Sequence, residues 1–267
     1  MKIFTNKNQL KKNIKKGIKL GFVPTMGAFH KGHISLIKKS IKMCDKTIVS
    51  IFINKPQFNK KKDFNEYPRD LSKDISILKK IKVNYVYLPK YREIYPRGPN
   101  LGIKISKFSN QLCGKFRPKH FKSVVDVVDR FLKIIKPNKI FLGKKDYQQL
   151  KIIEDYIVVN KINTKVIKCK TIREINGLAC SSRNFILSTN EKNLASKVYK
   201  IIKKNKIKII KNKHLLTKIK KQIYKIGINK IEYLNLINLK NLESRKKNFY
   251  KVFISFYLRS VRLIDNI

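Results

Sequence analysis

The residues best suited to chemistry lie in one stretch. Pro24 to His33 reads Pro-Thr-Met-Gly-Ala-Phe-His-Lys-Gly-His, directly after the apolar run Ile18 to Val23. A buried strand should end there, a glycine-containing loop should turn, and a helix should begin between two histidines. Helix starts carry unpaired N–H groups and the positive end of the macrodipole, so they attract phosphate. Gly32 would let a phosphate approach the backbone closely, and His30 and His33 could donate hydrogen bonds to its oxygens. A single histidine near a strand end more often satisfies a local hydrogen bond. Here two of the four histidines (30, 33, 120 and 214) share one loop, which points to an enzyme acting at a nucleotide phosphate.

Such a loop needs a rigid sheet behind it, and the first two thirds of the chain can supply one. Apolar runs at Ile18 to Val23, Thr47 to Ile53, Tyr85 to Leu88, Ile140 to Gly143 and Val166 to Lys170 alternate with amphipathic segments at His33 to Met43, Asp70 to Lys80, Ser123 to Ile135 and from Asp146 onward. This alternation predicts an α/β fold with a parallel sheet covered on both faces. Ligands on such sheets bind at the carboxyl ends of the strands. Beyond about Arg173 the pattern changes to helices near Glu191 to Lys204 and Leu215 to Ile226, then strands at Ile231 to Ile237 and Val252 to Leu258. The expectation is a Rossmann-like domain over residues 1–172 and a smaller α+β domain over 173–267.

Composition narrows the function classes. The 267 residues, 42% hydrophobic, suffice for a substantial core. No apolar run is as long as a membrane span, and Met1 to Leu10 lacks the apolar block of a secretory leader, so a cytoplasmic, non-membrane protein is expected. Cys44, Cys113, Cys169 and Cys180 show no C-x-x-C spacing and read as reduced thiols. The formal charge of +48, from 64 basic against 16 acidic residues, would ordinarily suggest nucleic acid. Here the lysines are spread along the whole chain among Ile and Asn, as A+T-rich codons would produce. No specific nucleic-acid partner is therefore expected.

Four further blocks combine polar groups in ways a plain core would not need: Ser50 to Phe58, Arg117 to Phe121, Gly143 to Gln149 and Arg173 to Asn184. Each alone is compatible with turn and cap chemistry; Asp146 could be an N-cap, and Gln57 and Gln149 could be ordinary surface amides. In this order, together with Tyr67-Pro68-Arg69 and the terminal Arg262-Leu263-Ile264-Asp265-Asn266, the blocks closely resemble the pantothenate synthetase family of the nucleotidylyl-transferase superfamily, over almost the whole chain. The resemblance implies a two-step, Mg²⁺-dependent ligation of pantoate to β-alanine through pantoyl adenylate, releasing pyrophosphate and AMP. It also implies a homodimer of chains, each with a Rossmann-like domain and a small covering domain.

By the same resemblance, His33, His30, Lys145 and Arg183 would be catalytic. ATP would be bound by Met26, Gly27, Ala28, Phe29, His30, Lys31, Gly32 and His33, by Gly143, Lys144, Lys145 and Asp146, and by Ile172, Cys180, Ser181, Ser182 and Arg183. Gln57 and Gln149 would grip pantoate, and no protein metal ligand is implied. The chain departs from the family pattern at Lys144 and Cys113, where acidic residues are usual. It departs again at Pro56, shifted by one place, at Asn176 and at Cys180. A related adenylating enzyme, a basic nucleic-acid-binding protein and an inactive relative stand as the alternative readings.

Overall fold

Runs of β-branched and aromatic residues with no polar alternation can only be buried on both faces. The computed structural model, which describes residues 1–15, 17–240, 242 and 249–267, places six such strands in one sheet. They are β1 (Lys2–Phe4), β2 (Leu20–Thr25), β3 (Lys46–Ile51), β4 (Tyr85–Tyr87), β5 (Lys139–Gly143) and β6 (Lys165–Cys169), in the order β1-β4-β3-β2-β5-β6, with every pairing parallel. From β2 the chain first builds outward through β3 and β4, then returns to the other side of β2 for β5 and β6. The crevice between β2 and β5 is thus a topological switch point, and the loops that follow these two strands flank it.

The helices of this part are α1 (Lys7–Asn13), α2 (Lys31–Met43), α3 (Lys61–Asn65), α4 (Leu71–Lys80), α5 (Tyr91–Ile94), α6 (Cys113–Phe116), α7 (His120–Ile135) and α8 (Tyr147–Val159). On one face of the sheet Val23, Val49, Val86 and Phe141 pack with Ile37 of α2 and Leu78 of α4. On the other, Phe131 of α7 meets the rings of Phe22, Phe52 and Tyr87. Gly21 lies against α2, where a side chain would overlap Ser40 Oγ. Ser40 is fully buried and 2.8 Å from Thr47 Oγ1, so α2 sits close against β2 and carries the histidine loop with it.

Contacts divide the chain into two units, Met1–Lys144 with Gln148–Lys170, and Lys145–Tyr147 with Thr171–Ile267. The second contains α9 (Thr189–Lys211), α10 (Leu215–Lys225) and an antiparallel sheet of β7 (Lys230–Asn238), β8 (Tyr250–Leu258) and β9 (Val261–Asn266), with β8 in the centre. A capping box between Ser188 and Glu191 starts α9. Alternate residues Val252, Ile254, Phe256 and Leu258 pack with Val198, Ile202 and Ile209 of α9 and Ile219 and Ile223 of α10. The lysines of α9 project outward while these isoleucines hold it down, and Ile209 extends the helix to Lys211, beyond the Lys204 expected from the sequence. No helix among the described residues is long and apolar enough to cross a membrane.

A buried ion pair ties this sheet together. Glu232 accepts from Arg262 Nε at 2.8 Å, Ser255 Oγ at 3.0 Å and Tyr257 Oη at 2.8 Å. Burial pushes its carboxyl up, but the Arg262 contacts and the two hydroxyls outweigh that and hold it below the ordinary carboxylate range. A depressed carboxylate contributes stability above its unfolded pKa and loses it as pH falls through the folded value. Glu232→Gln is therefore expected to lower unfolding stability at neutral pH by about 3 kcal/mol, with the difference from the parent protein shrinking as the buffer is acidified. Urea titrations of both proteins at neutral pH and at a pH roughly one unit below the ordinary carboxylate value check this.

Candidate active site

In the first unit, the candidate residues are carried by the loop between β2 and α2. Gly27 and Ala28 both take left-handed backbone, φ +78° and +51°. The chain turns here so that the successive N–H groups of Ala28 and Phe29 point at one anion. The anion here is internal. Asp74 of α4, 3% exposed, accepts from Ala28 N at 2.8 Å through one oxygen and from Phe29 N at 2.9 Å through the other. Burial pushes its carboxyl up, against the downward pull of the two amides. A side chain at Gly27 would collide with the same carboxylate, so glycine is required there for space as well as for φ.

Helix α2 begins at Lys31, with His30 as its N-cap. Gly32 N donates to His30 Nδ1 at 3.1 Å. An amide can only donate, so Nδ1 carries the lone pair and a neutral His30 holds its proton on Nε2. The His30 and His33 rings lie 4.0 Å apart, 31° from parallel, and Phe29 meets His33 edge-on at 5.6 Å. The amides of Gly27, Ala28, Phe29 and Gly32 thus already have partners, Gly27 N donating to Thr25 Oγ1. The sequence suggests a loop offering backbone donors to phosphate. In the structure these four amides serve to shape the loop, and the two imidazoles are what it presents.

Beyond β3, a short 3-10 turn over Lys55–Gln57 carries Gln57. Its main-chain oxygen accepts from Arg117 Nη2 at 3.1 Å and lies 2.8 Å from His120 Nδ1, which must therefore donate. The block Arg117 to Phe121 thus acts as a clamp on Gln57. Gln149 of α8 is half-buried. Its neighbour Gln148, which the sequence did not single out, is buried and structural: it accepts from Cys113 N and donates to the carbonyls of Phe108 and Gln111. Gly143 and Lys144 sit at the carboxyl end of β5 in this first unit.

The second unit gathers the remaining candidates. Arg173 to Asn184 forms a reversal in which Arg173 bridges Ala179 and Cys180 N donates to Ile172 O. Arg173 holds both oxygens of Asp265, at 2.6 and 2.9 Å, and stacks 3.9 Å from the centroid of Tyr199. Asn184 donates to Glu174 Oε1 and Ala179 O. So braced, Ser181 caps the 3-10 turn Ser182–Ile186, and Ser181 and Arg183 line one pocket with Lys145. Ser182 and Cys180 are buried and do not line it. Asn266 Nδ2 donates to Lys145 O at 2.7 Å, and Lys145 Nζ lies 3.3 Å from Asp146 Oδ1. Asp146 belongs to a 3-10 turn over Lys144–Asp146 that runs into α8.

Comparison with known proteins places this architecture. The sequence profile of the "Pantoate-beta-alanine ligase" family matches residues 2–267. A pantothenate synthetase of Endomicrobium trichonymphae is 40% identical over 280 residues, covering 100% of this chain and 97% of that protein. One of Pseudothermotoga lettingae is 37% identical, covering 100% and 98%. The crystal structure of the Francisella tularensis pantoate-beta-alanine ligase, complexed with β-γ ATP and β-alanine, superposes with a TM-score of 0.84 at 38% identity, covering 100% of this chain and 97% of that one. The Thermus thermophilus pantothenate synthetase superposes with a TM-score of 0.88 at 26% identity, covering 100% and 99%. With profile, relatives and solved structures all spanning it from end to end, the chain belongs to the pantoate-beta-alanine ligase family, the enzymes that join pantoate to β-alanine in an ATP-dependent reaction to form pantothenate.

Proposed function

We propose that this chain makes pantothenate in two steps on one nucleotide. A pantoate carboxylate oxygen bonds to the α-phosphorus of ATP as the α–β bridging bond breaks and pyrophosphate leaves. The β-alanine amine then bonds to the acyl carbon and gives up a proton to solvent as the acyl carbon–phosphate oxygen bond breaks and AMP departs with its electrons. Attack by a carboxylate needs no strong base; it needs stabilisation of the charge that accumulates on the leaving pyrophosphate. The observation that carries this reading is the convergence of Lys145, Ser181 and Arg183 on one pocket, an ammonium, a hydroxyl and a guanidinium suited to phosphate oxygens.

In this reading Lys145, Ser181, Ser182 and Arg183 hold the β- and γ-phosphates. His33, with His30 beside it, donates to phosphate oxygens, and the Nε2 proton of His30 fits that task. Met26 to His33, Gly143 to Asp146, Ile172 and Cys180 surround the rest of ATP, and Gln57 and Gln149 hold pantoate through uncharged amides. Among the described residues no group of three or more His, Cys, Asp or Glu is gathered to hold a metal. In this reading Mg²⁺ would be carried mostly by phosphate oxygens and water, and when bound would neutralise phosphate charge. The assembly carried into this reading is a homodimer, whose mass by light scattering would be twice the 31.4 kDa of the chain.

Purified protein with Mg-ATP, pantoate and β-alanine is expected to form AMP only when both acids are present. Pantoate alone should support ATP–pyrophosphate exchange. Exchange driven by amino acids but not by pantoate would overturn the reading.

A further inference from the structure

The direction of the Gln57 side chain is set by a chain of hydrogen bonds that begins at an atom with no choice of role. The Ser123 carbonyl can only accept, and Asn54 Nδ2 lies 3.1 Å from it. That contact fixes which end of the Asn54 amide is nitrogen. The same nitrogen donates to Gln57 Oε1 at 3.2 Å, so the Gln57 amide is oriented in turn. Asn54 Oδ1, on the other side, takes the Tyr95 hydroxyl at 2.7 Å. Asn54 and Tyr95 are 1% and 2% exposed, so solvent cannot substitute for either bond. Tyr95 is itself held, with the Arg130 guanidinium 4.7 Å from its ring centroid, and Arg130 donates to Asp126, Ile94 O and Gly98 O. Burial pushes the phenol above its ordinary value, so it stays protonated and able to donate.

What remains of Gln57 is its Nε2, 2.9 Å from Met26 Sδ. A thioether is a weak acceptor, easily displaced by an oxygen.

We propose that Tyr95 is a positioning residue which, through Asn54, locks Gln57 with its N–H group outward, so that this position selects a substrate presenting an oxygen acceptor, such as a carboxylate. This rests on the reading that places Gln57 against pantoate. Without the Tyr95 hydroxyl, Asn54 Oδ1 is left buried without its donor and the amide is held only through Nδ2 at the Ser123 carbonyl, so the side chain that orients Gln57 is free to shift and the Gln57 N–H group is no longer fixed in place.

Tyr95→Phe tests the relay and Gln57→Ala tests the reading beneath it. Steady-state kinetics of both are compared with the parent protein, with thermal midpoints measured alongside. Tyr95→Phe is expected to raise KM for pantoate roughly three- to tenfold, with KM for ATP unchanged and the midpoint nearly so. Gln57→Ala should raise the same constant by at least as much. An unchanged pantoate KM in Tyr95→Phe, with a raised one in Gln57→Ala, would overturn the relay alone. Equal rises in both KM values with a lowered midpoint would also overturn it, because they describe a general structural role. An unchanged pantoate KM in Gln57→Ala would remove Gln57 from the acid's contacts, and the selection argument with it.

Discussion

Lys145→Ala is expected to lower AMP formation on the order of a hundredfold while leaving the fold intact. Its neighbours are held through its main chain, since Asn266 bonds the Lys145 carbonyl and alanine preserves that contact. The side chain, 19% exposed, pairs with the half-exposed Asp146 carboxylate at 3.3 Å, so its removal leaves that charge in reach of water. The loss falls on the leaving pyrophosphate, where one charge-assisted donor is worth about 2–4 kcal/mol of transition-state stabilisation. By the Eyring relation that is roughly 30- to 1000-fold in rate. His33→Ala should act similarly from the first unit. A single-turnover AMP assay beside a thermal melt separates chemistry from folding, and near-normal turnover in both variants would dismiss the assignments.

Asp74→Ala should damage both stability and activity. It leaves two adjacent buried amides, those of Ala28 and Phe29, without their acceptors, at a cost of about 1–3 kcal/mol each. The Gly27–Ala28 backbone keeps its left-handed turn because the carboxylate organises it, so the imidazoles of His30 and His33 should drift. A displacement of about 1 Å in a catalytic group can cost on the order of a hundredfold. Asp74→Asn, which keeps one acceptor oxygen and sets an NH₂ against the other amide, should fall between. Urea unfolding and kcat/KM read the two losses separately. An alanine variant with kcat/KM close to the parent's would show that the loop holds its shape without the clamp.

Both the Asp74 clamp and the Tyr95 relay illustrate what the sequence could not disclose. Strands β2, β3 and β5 were legible because each is a largely apolar run, and helices α2, α4, α7, α9 and α10 because their apolar residues recur at helical spacing, whereas the short α1, α3, α5 and α6 carried no such pattern. β1 was not legible: it has three residues and buries only Phe4, too little to pattern. β9 reads Val-Arg-Leu-Ile-Asp-Asn without a clean alternation, and its Asp265 and Asn266 bond Arg173 and the Lys145 carbonyl, so its polar residues disguised a strand. Helix α2 starts at Lys31 because His30 caps it with its ring nitrogen, a cap that histidine spacing does not announce. Within the candidate site, the motif blocks stood out by their residue types. Asp74, Tyr95 and Gln148 did not, because their partners are main-chain groups or amides 35 to 46 residues away. Such a partnership exists only once the chain has folded.

The sharing of Lys145–Tyr147 with the C-terminal unit bears on the order in which the chain can mature on the ribosome. Tyr147 is buried against Phe253, and the Lys145 carbonyl waits for Asn266, 121 residues further along. At about 5–20 residues per second, that interval lasts roughly 6 to 24 seconds. Through it the parallel sheet can assemble as far as β6, while the segment after β5 still lacks Phe253 and Asn266. A nascent chain stalled between β6 and β8 would therefore display Tyr147 to chaperones and proteases, a timer that only the arrival of β8 and β9 can stop.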